Sequence, residues 1–367
     1  MIRLAHYRTA CSTNSEMLEG IQFPQRVHWF PETYDRVKSG MFYVPHRLAD
    51  KVLDPNLAKQ LRENPVGKTA FILASGSANF AGINPRKRED TRLSYEYKFL
   101  PFTLTQVYAG RTAQAFGATD HIVTDATACA SSLKALMDVQ TLINFYGFKR
   151  VVVLAVEDAV SNTVLEFFGE TQASLSKKEE DEGIKPSAFD DTNYGFHVGQ
   201  GAALAVFEAE DVCENPLAVL KGAYTASEEC SNAIGQSENG SGFMKAMMGA
   251  LDIANIDSRD IKIVKTHGTG TKSNNIAEKA ALEDMLYDFA ATSYKQKIGH
   301  TMGASGLLET MLLIDDMRKG LLPAIANRTK SDGRYLSHDI IPPEGDIMSL
   351  AAGMGNVYSA AVLSLEV

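Results

Sequence analysis

One pattern occurs twice in this 367-residue chain: a strand-like segment, a run of small residues, then an apolar helix. In the first half, residues 121–126 precede T-A-C-A-S-S at 127–132, and residues 133–137 continue with the apolar spacing of a helix. In the second half, residues 298–300 resemble a strand end, and small residues at 303–306 lead into another helix. A repeated strand–helix unit favours a layered α/β fold, and small residues would let the two helix starts approach closely.

Other segments support this fold class. Short apolar runs predict strands at 69–74, 150–156, 201–207, 217–220 and 260–265. Helices are predicted at 104–116 and 241–254. Strands separated by helices indicate a parallel-type α/β layer. Residues 1–65 contain five prolines, and we expect an irregular portion with short helices there.

Composition excludes several classes of function. The net charge of −9 argues against nucleic acid as a partner. No apolar stretch approaches the roughly 18 residues that span a bilayer, and the N-terminus lacks an apolar signal core. The four cysteines form no C-x-x-C pair. We therefore expect a cytoplasmic protein without a membrane span.

Cys129 lies where the first strand-like segment meets its helix. A thiol at a helix start faces unpaired backbone N–H groups and the positive end of the helix dipole. Both should favour the thiolate, which is the nucleophilic form. Cys129 is therefore the candidate nucleophile.

Two histidines have a setting that suggests chemistry. His267 leaves the strand at 260–265 into a Gly/Thr loop, at the strand end where open α/β sheets bind ligands. His300 stands at a helix start, which should keep it a neutral hydrogen-bond donor. Lys295 is five residues before it. No ligand spacing near either histidine indicates a metal.

Three motifs in this order resemble the β-ketoacyl-acyl carrier protein synthases, the condensing enzymes of the thiolase superfamily. They are T-A-C-A-S-S at 127–132, T-H-G-T-G-T at 266–271, and K-x-x-x-G-H-T-x-G-A-x-G-x-x-E at 295–309. The Cys-His-His set is similar to the elongating branch. The resemblance implies a thiolase-like α/β fold of two pseudo-repeated halves in α-β-α-β-α layers. The halves would be residues 1–210, with the nucleophile, and 211–367, with both histidines.

The resemblance also implies roles. Cys129 would accept an acyl chain, while His267 and His300 would bind the thioester carbonyl of malonyl-carrier protein during decarboxylation. The turn near Met354 would help to hold an oxyanion, and Thr269 and Thr271 would lie at the substrate. Lys295, together with Glu309, would hold the charges behind these residues and would not act directly on the substrate. No metal, flavin or nicotinamide cofactor is implied.

Departures from the family pattern concern substrate identity. Asn275 replaces an Asp, Gln200 replaces a charged residue, and Met354 replaces a gating Phe. They favour a specialised synthase of a polyketide, aryl-polyene or fatty-acid-like pathway. Two alternatives stay open: a chain-length-factor-like partner subunit, and an acyltransferase that does not extend the chain. The implied partners are acyl carrier protein and a second subunit, identical or homologous, paired through the strand at 121–126.

Overall fold

The computed structural model describes most of the chain. The described residues are 1–11, 52–76, 105–157, 168–171, 173–175, 179, 182–190, 192, 194–230, 232–330 and 332–366. The predicted short helices between residues 12 and 51, and most of the charged run at 177–182, lie outside these ranges.

The described residues form one mixed sheet of ten strands in the order β3-β2-β4-β5-β1-β6-β10-β9-β7-β8. Parallel pairing joins β2 to β3 and β4 in the first half, and β7 to β8 and β9 in the second. Each half of the sheet therefore repeats the same order around a seam between β1 and β6. The strands are β1 Ile2–Cys11, β2 Thr69–Ala74, β3 His121–Asp125, β4 Arg150–Glu157, β5 Gly201–Ala209, β6 Ala218–Ser227, β7 Ile261–Lys265, β8 Ala290–Thr292, β9 Asp346–Gly353 and β10 Val357–Leu365.

Helices connect and cover these strands. The first begins in the usual way: the Asp54 side chain accepts from the backbone N–H of Asn56, and Pro55 occupies the first turn. Short 3₁₀ turns at 128–130 and 302–304 lead into two of the longer helices. Over the described ranges the α-helices are α1 Pro55–Glu63, α2 Thr105–Phe116, α3 Ser131–Asn144, α4 Ser241–Ala254, α5 Lys272–Met285, α6 Lys295–Ile298 and α7 Ser305–Arg318.

The elements stack in five layers, in which each half of the ten-stranded sheet forms one β layer. Helices α3 and α7 lie in the middle, because their apolar side chains share one core with strands of both sheet halves. Helices α1 and α2 cover the outer face of the first half, and α4 and α5 cover that of the second. The predicted α-β-α-β-α arrangement is confirmed. The middle layer matters for function because its two helix starts carry the predicted nucleophile and His300.

Two local predictions were wrong. The chain opens on the ten-residue strand β1, which pairs with β5 and β6, rather than on irregular structure. The segment before His300 is the short helix α6, and His300 itself makes only an isolated bridge to Val198. Each of these depends on a partner distant in sequence, which the local pattern does not reveal.

Among the described residues, no helix combines the length and apolar character needed to cross a membrane.

Candidate active site

Cys129 lies in the 3₁₀ turn between β3 and α3 and is 8% exposed. The residue before it, Ala128, has φ 48°, in the left-handed region that residues with a Cβ rarely adopt. The Ser131 hydroxyl donates to the Ala128 carbonyl at 2.6 Å and holds this turn. The sharp turn places Cys129 just before the N-terminus of α3, as the sequence predicted.

The ionisation of Cys129 differs from the expectation. Burial raises the pKa of the thiol from 9.0 to about 12, although Lys295 and the backbone act in the opposite direction. Three pKa units correspond to about 4 kcal/mol. A helix end contributes only about 0.3–2 kcal/mol. Desolvation therefore outweighs the helix start, and Cys129 rests as a neutral thiol.

The second helix start has the same geometry as the first. Met302 has φ 45°, the 3₁₀ turn at 302–304 follows, and α7 begins at Ser305. Gly303 thus holds the position equivalent to Cys129. A Cβ on Gly303 would collide with the backbone nitrogen of Gly76, so only glycine fits this approach.

The Glu157 carboxylate ties the two halves together at this point. It accepts from the backbone N–H of Gly76 at 2.6 Å and from that of Gly303 at 3.0 Å. One step along the helices, the Leu307 N–H donates to the Ser132 hydroxyl at 3.0 Å. The two helix starts are therefore in direct contact, as their small residues predicted.

His267 and His300 face each other beside this contact. Their rings meet edge to face with centroids 5.6 Å apart. Phe196 packs edge-on against His300 at 5.0 Å and belongs to the same apolar cluster as Cys129. The structure thus brings the two predicted histidines together and places the nucleophile in the same site.

Both histidines are neutral. Burial, followed by the charge of Lys295, lowers the pKa of His267 and of His300 well below 6.5. His300 Nδ1 lies 2.9 Å from the Ser305 hydroxyl, whereas His267 Nδ1 has no hydrogen-bond partner among the described residues. The expected neutral state of His300 agrees with this, but burial rather than the helix end is the main cause.

Lys295 and Glu309 form a fully buried ion pair. The Lys295 ammonium donates to both carboxylate oxygens of Glu309, at 2.8 and 3.0 Å, and neither side chain is exposed. The pairing predicted from the sequence is present. A second ammonium, that of Lys265, lies 3.4 Å from the same carboxylate. Lys265 was not predicted as a site residue, because in the sequence it resembles an ordinary strand residue before the His267 loop.

Glu278 also escaped sequence analysis. Its carboxylate, on α5, accepts from the backbone N–H groups of His267 at 2.5 Å and Gly268 at 2.9 Å, and from the Asn274 amide at 2.8 Å. Burial raises the pKa of this carboxyl group. Glu278 therefore fixes the loop that carries His267. The Asn274–Glu278 spacing of four residues on a helix was the available signal.

The two threonines predicted at the substrate have local roles. Thr271 caps α5, because its side chain accepts from the Asn274 N–H. The Thr269 and Thr271 hydroxyls lie 3.1 Å apart. Asn275, in place of the family Asp, donates to the Asp190 carbonyl at 3.3 Å. These contacts shape the His267 loop, and contact with substrate stays a prediction.

The turn after β9 approaches the nucleophile from the other side. A Cβ on Gly353 would lie 2.8 Å from the Thr127 carbonyl and 3.3 Å from the backbone nitrogen of Cys129. The next residue, Met354, packs against the apolar cluster around Cys129. The buried members of that cluster are Cys129, Phe168, Phe196, Val198 and Met302. The sequence did not predict this apolar lining.

No three His, Cys, Asp or Glu side chains within the described ranges are grouped so that they could hold a metal ion.

Solved ketosynthases share this fold. A type II polyketide synthase ketosynthase in complex with its acyl-carrier protein matches with a TM-score of 0.79 at 17% identity, over 100% of this chain and 99% of that chain. A ketosynthase in complex with its chain length factor, from Xenorhabdus doucetiae, matches with a TM-score of 0.74 at 18% identity, over 100% and 98%. The fold is that of the ketosynthase class.

Two family models define the family. The beta-ketoacyl synthase N-terminal domain matches residues 48–212, and the beta-ketoacyl synthase C-terminal domain matches residues 217–329. Together these matches cover more than half of the sequence. The chain belongs to the beta-ketoacyl synthase family.

Curated relatives agree with this. The ketoacyl synthase alpha subunit of the tetracenomycin polyketide synthase from Streptomyces glaucescens is 29% identical over 90% of this chain and 82% of its own length. A relative from Streptomyces cyaneus, named as a polyketide beta-ketoacyl synthase 1, is 28% identical over 72% of this chain. This alignment spans 65% of the relative's own length.

Proposed function

We propose that the chain is a condensing enzyme of polyketide assembly, which extends an acyl chain by decarboxylative Claisen condensation with malonyl-carrier protein. The observation that carries the proposal is the shared buried site of Cys129 and two neutral histidines. A neutral imidazole keeps one N–H group, which can donate a hydrogen bond to a developing oxyanion.

The first step is acyl transfer. The Cys129 sulfur attacks the carbonyl carbon of an acyl thioester on the carrier protein, and a new C–S bond forms. The bond to the carrier thiol breaks, and the proton of the Cys129 thiol ends on that leaving sulfur. Because Cys129 is a neutral thiol at rest, its proton is available for this exchange.

The second step forms the carbon–carbon bond. The bond between C2 of the malonyl group and its carboxylate breaks, CO₂ leaves, and the electron pair becomes an enolate. His267 and His300 donate to the enolate oxygen, while its C2 attacks the carbonyl of acyl-Cys129. The C–S bond then breaks, and the departing Cys129 sulfur takes up one proton.

The other site residues support these steps. The oxyanion formed on acyl-Cys129 would be held by the backbone N–H groups of Cys129 and Met354; Gly353, next to Met354, packs closely against the backbone of the Cys129 turn. Lys295 and Glu309 supply a fixed buried charge pair behind the histidines. Thr269 and Thr271, on the loop after His267, would contact the substrate.

The proposed partners are acyl carrier protein and a second subunit. Solved structures of two similar ketosynthases contain an acyl-carrier protein and a chain length factor, respectively. In this chain β3 is the edge of the described sheet, and four of its five residues, all but the buried Asp125, are exposed or half-buried. An open edge of this kind needs covering, which supports pairing of β3 across a dimer. The partner is an identical or a homologous subunit.

The proposal also includes two halves that meet near residue 210 and a cytoplasmic location. The strand order repeats on either side of that point, which supports two pseudo-repeated halves. The four cysteines are free thiols, as a reducing compartment would keep them. The net charge of −9 does not favour nucleic acid as a partner.

Intact-protein mass spectrometry tests the proposal. The purified chain is incubated with a panel of acyl-carrier proteins, then with malonyl-carrier protein, and products are weighed. We expect an acyl adduct on Cys129 and a product longer by two carbons. Simple transfer of the acyl group would instead indicate an acyltransferase, and no loading at all would favour the partner-subunit alternative.

Matched variants assign the steps. The Cys129→Ala variant should lose the acyl adduct, whereas Cys230→Ala, which removes a half-buried thiol outside the Cys129 cluster, should keep it. The His300→Ala variant should still load Cys129 but fail to extend the chain. Undiminished condensation by the Cys129→Ala protein would overturn the proposed function.

A further inference from the structure

Lys265, the last residue of β7, has an unusual environment for a strand lysine. Its side chain is 0% exposed, and its ammonium donates to the Leu350 carbonyl at 2.6 Å and to the Glu309 carboxylate at 3.4 Å. A buried ammonium is costly unless it is paired and hydrogen-bonded. An apolar side chain at position 265 would avoid this cost, so a buried lysine there suggests a functional role.

The partners of Lys265 connect three parts of the site. Lys265 itself comes two residues before His267. Leu350 lies on β9, three residues before Gly353 and the turn that approaches the nucleophile. Glu309, on α7, is also the partner of Lys295. One ammonium therefore joins the histidine loop, the turn beside Cys129 and the buried charge pair.

We propose that Lys265 is a positioning residue of the condensation reaction, an inference that rests on the proposed function. Its ammonium holds the Glu309 carboxylate between two lysines and fixes β9, with the Gly353 turn, relative to the His267 loop. It acts through these groups and does not touch the substrate.

Charge adds to this geometric role. Two ammonium groups share one carboxylate, and the other nearby carboxylate, that of Glu278, is occupied by backbone N–H groups and by Asn274. The surplus positive charge faces both histidines. Burial is the largest cause of the lowered pKa of each histidine. The charges of Lys295 and Lys265 lower the pKa of His300 further. The same two charges, and the charge that His300 would carry if protonated, lower the pKa of His267 further.

The pKa of Lys265 lies in a pH range where activity can be measured. Burial lowers its pKa to about 8, with Lys295 acting in the same direction and with Glu309 and Glu278 opposing. Lys265 is therefore charged at neutral pH and loses its proton as the pH rises through about 8. Loss of that proton removes the surplus charge and weakens the hold on Glu309.

The Lys265→Met variant tests the inference, with Lys221→Met as its matched control. Lys221 is also a strand lysine paired with a carboxylate, that of Asp346, but it is partly exposed and lies outside the site. Malonyl-carrier protein decarboxylation is measured from pH 5 to 10. For Lys265→Met we expect kcat to fall roughly 10- to 100-fold at pH 7, with little change in KM. The fall in activity above about pH 8 should vanish, and the acidic limb should move to higher pH.

The same experiment separates the two proposals. An inactive wild type would refute the proposed function, whereas an active wild type with an unchanged pH profile in Lys265→Met would overturn the role of Lys265. Lys221→Met should keep both limbs of the profile.

A second measurement needs neither turnover nor a folded Lys265→Met variant, because it follows the wild-type protein. In wild-type protein labelled with ¹⁵N-histidine, the imidazole shifts of His267 and His300 should respond to a titration near pH 8, assigned by the two His→Ala variants. Imidazole shifts that stay constant between pH 7 and 9 would overturn the inference.

Discussion

Ala128 and Met302 share one left-handed backbone conformation, with φ 48° and 45°, at equivalent points of the two halves. Each residue lies at the sharp turn before a helix of the middle layer. Neither is a glycine, so both carry a conformational cost, which for a residue with a Cβ is about 1–2 kcal/mol. The two turns lie where the segments that carry Cys129 and His300 meet. Their left-handed residues set the directions in which the two helices start, and these directions bring the helix starts into contact.

Replacing Ala128 by glycine should release this strain. Glycine loses about 0.5–1 kcal/mol through its greater freedom in the unfolded chain, so the net gain should lie between about 0 and 1.5 kcal/mol. Ala130→Gly is the matched control, because Ala130 has φ −89° and gains no relief. Urea unfolding should place Ala128→Gly at or above wild type and Ala130→Gly below it. The reverse order would show that the turn is not strained.

Cys129 should alkylate slowly at neutral pH. With a pKa of about 12, the thiolate fraction at pH 7 is about 10⁻⁵, and it grows tenfold with each pH unit. The rate of iodoacetamide modification, followed by mass spectrometry, should therefore rise steadily to pH 10. The Cys129→Ser variant identifies the modified residue. A rate that levels off between pH 6 and 8 would mean that the helix start prevails over burial.

Glu278→Gln should weaken the loop that carries His267. A glutamine side chain turns one acceptor into a donor, which leaves a buried backbone N–H unpaired at a cost of about 1–3 kcal/mol. We expect decarboxylation to fall more than acylation of Cys129. Glu283→Gln serves as the control, since Glu283 is on the same helix, partly exposed, and pairs only loosely with Lys279. Equal losses in both reactions would point to a general loss of structure instead.

Gly303→Ala should separate the two helix starts. The added methyl group would collide with the Gly76 nitrogen and approach Glu157 Oε2 to 2.7 Å. We expect a large loss of stability, of several kcal/mol, and loss of acyl loading. Gly110→Ala, where a Cβ meets no atom within 4 Å, should be neutral or more stable by about 0.5–1 kcal/mol. Thermal unfolding and the acyl mass adduct check both variants.

The elements that local pattern determines were predictable. The strand Thr69–Ala74 and the helix Ser241–Ala254 match their predicted ranges, because each has a clear apolar period bounded by turn residues. Cys129 and His267 were found because each follows a predicted strand, and His300 because it precedes a predicted helix. Their roles in the reaction stay predictions.

Long-range relationships were not predictable in the same way. In the sequence Lys265 resembles any other strand residue. Its contacts to Glu309 on α7 and Leu350 on β9 exist only in the folded protein. The pKa of Cys129 depends on side chains such as Phe168 and Phe196, which come from a region without a clear pattern. In both cases the decisive neighbour lies more than 30 residues away, so that burial and charge emerge only in three dimensions.

The position of β1 has a consequence for synthesis on the ribosome. Of the described strands it is made first, and both of its partners, β5 and β6, are about 200 residues further on. At roughly 5–20 residues per second, the strand waits on the order of 10–40 s for its neighbours. Contacts this remote in sequence also slow folding. A strand with the buried residues Ile2, Leu4 and Ala5 must therefore stay unpaired while about 200 further residues are added, which makes the nascent chain a natural client for a chaperone.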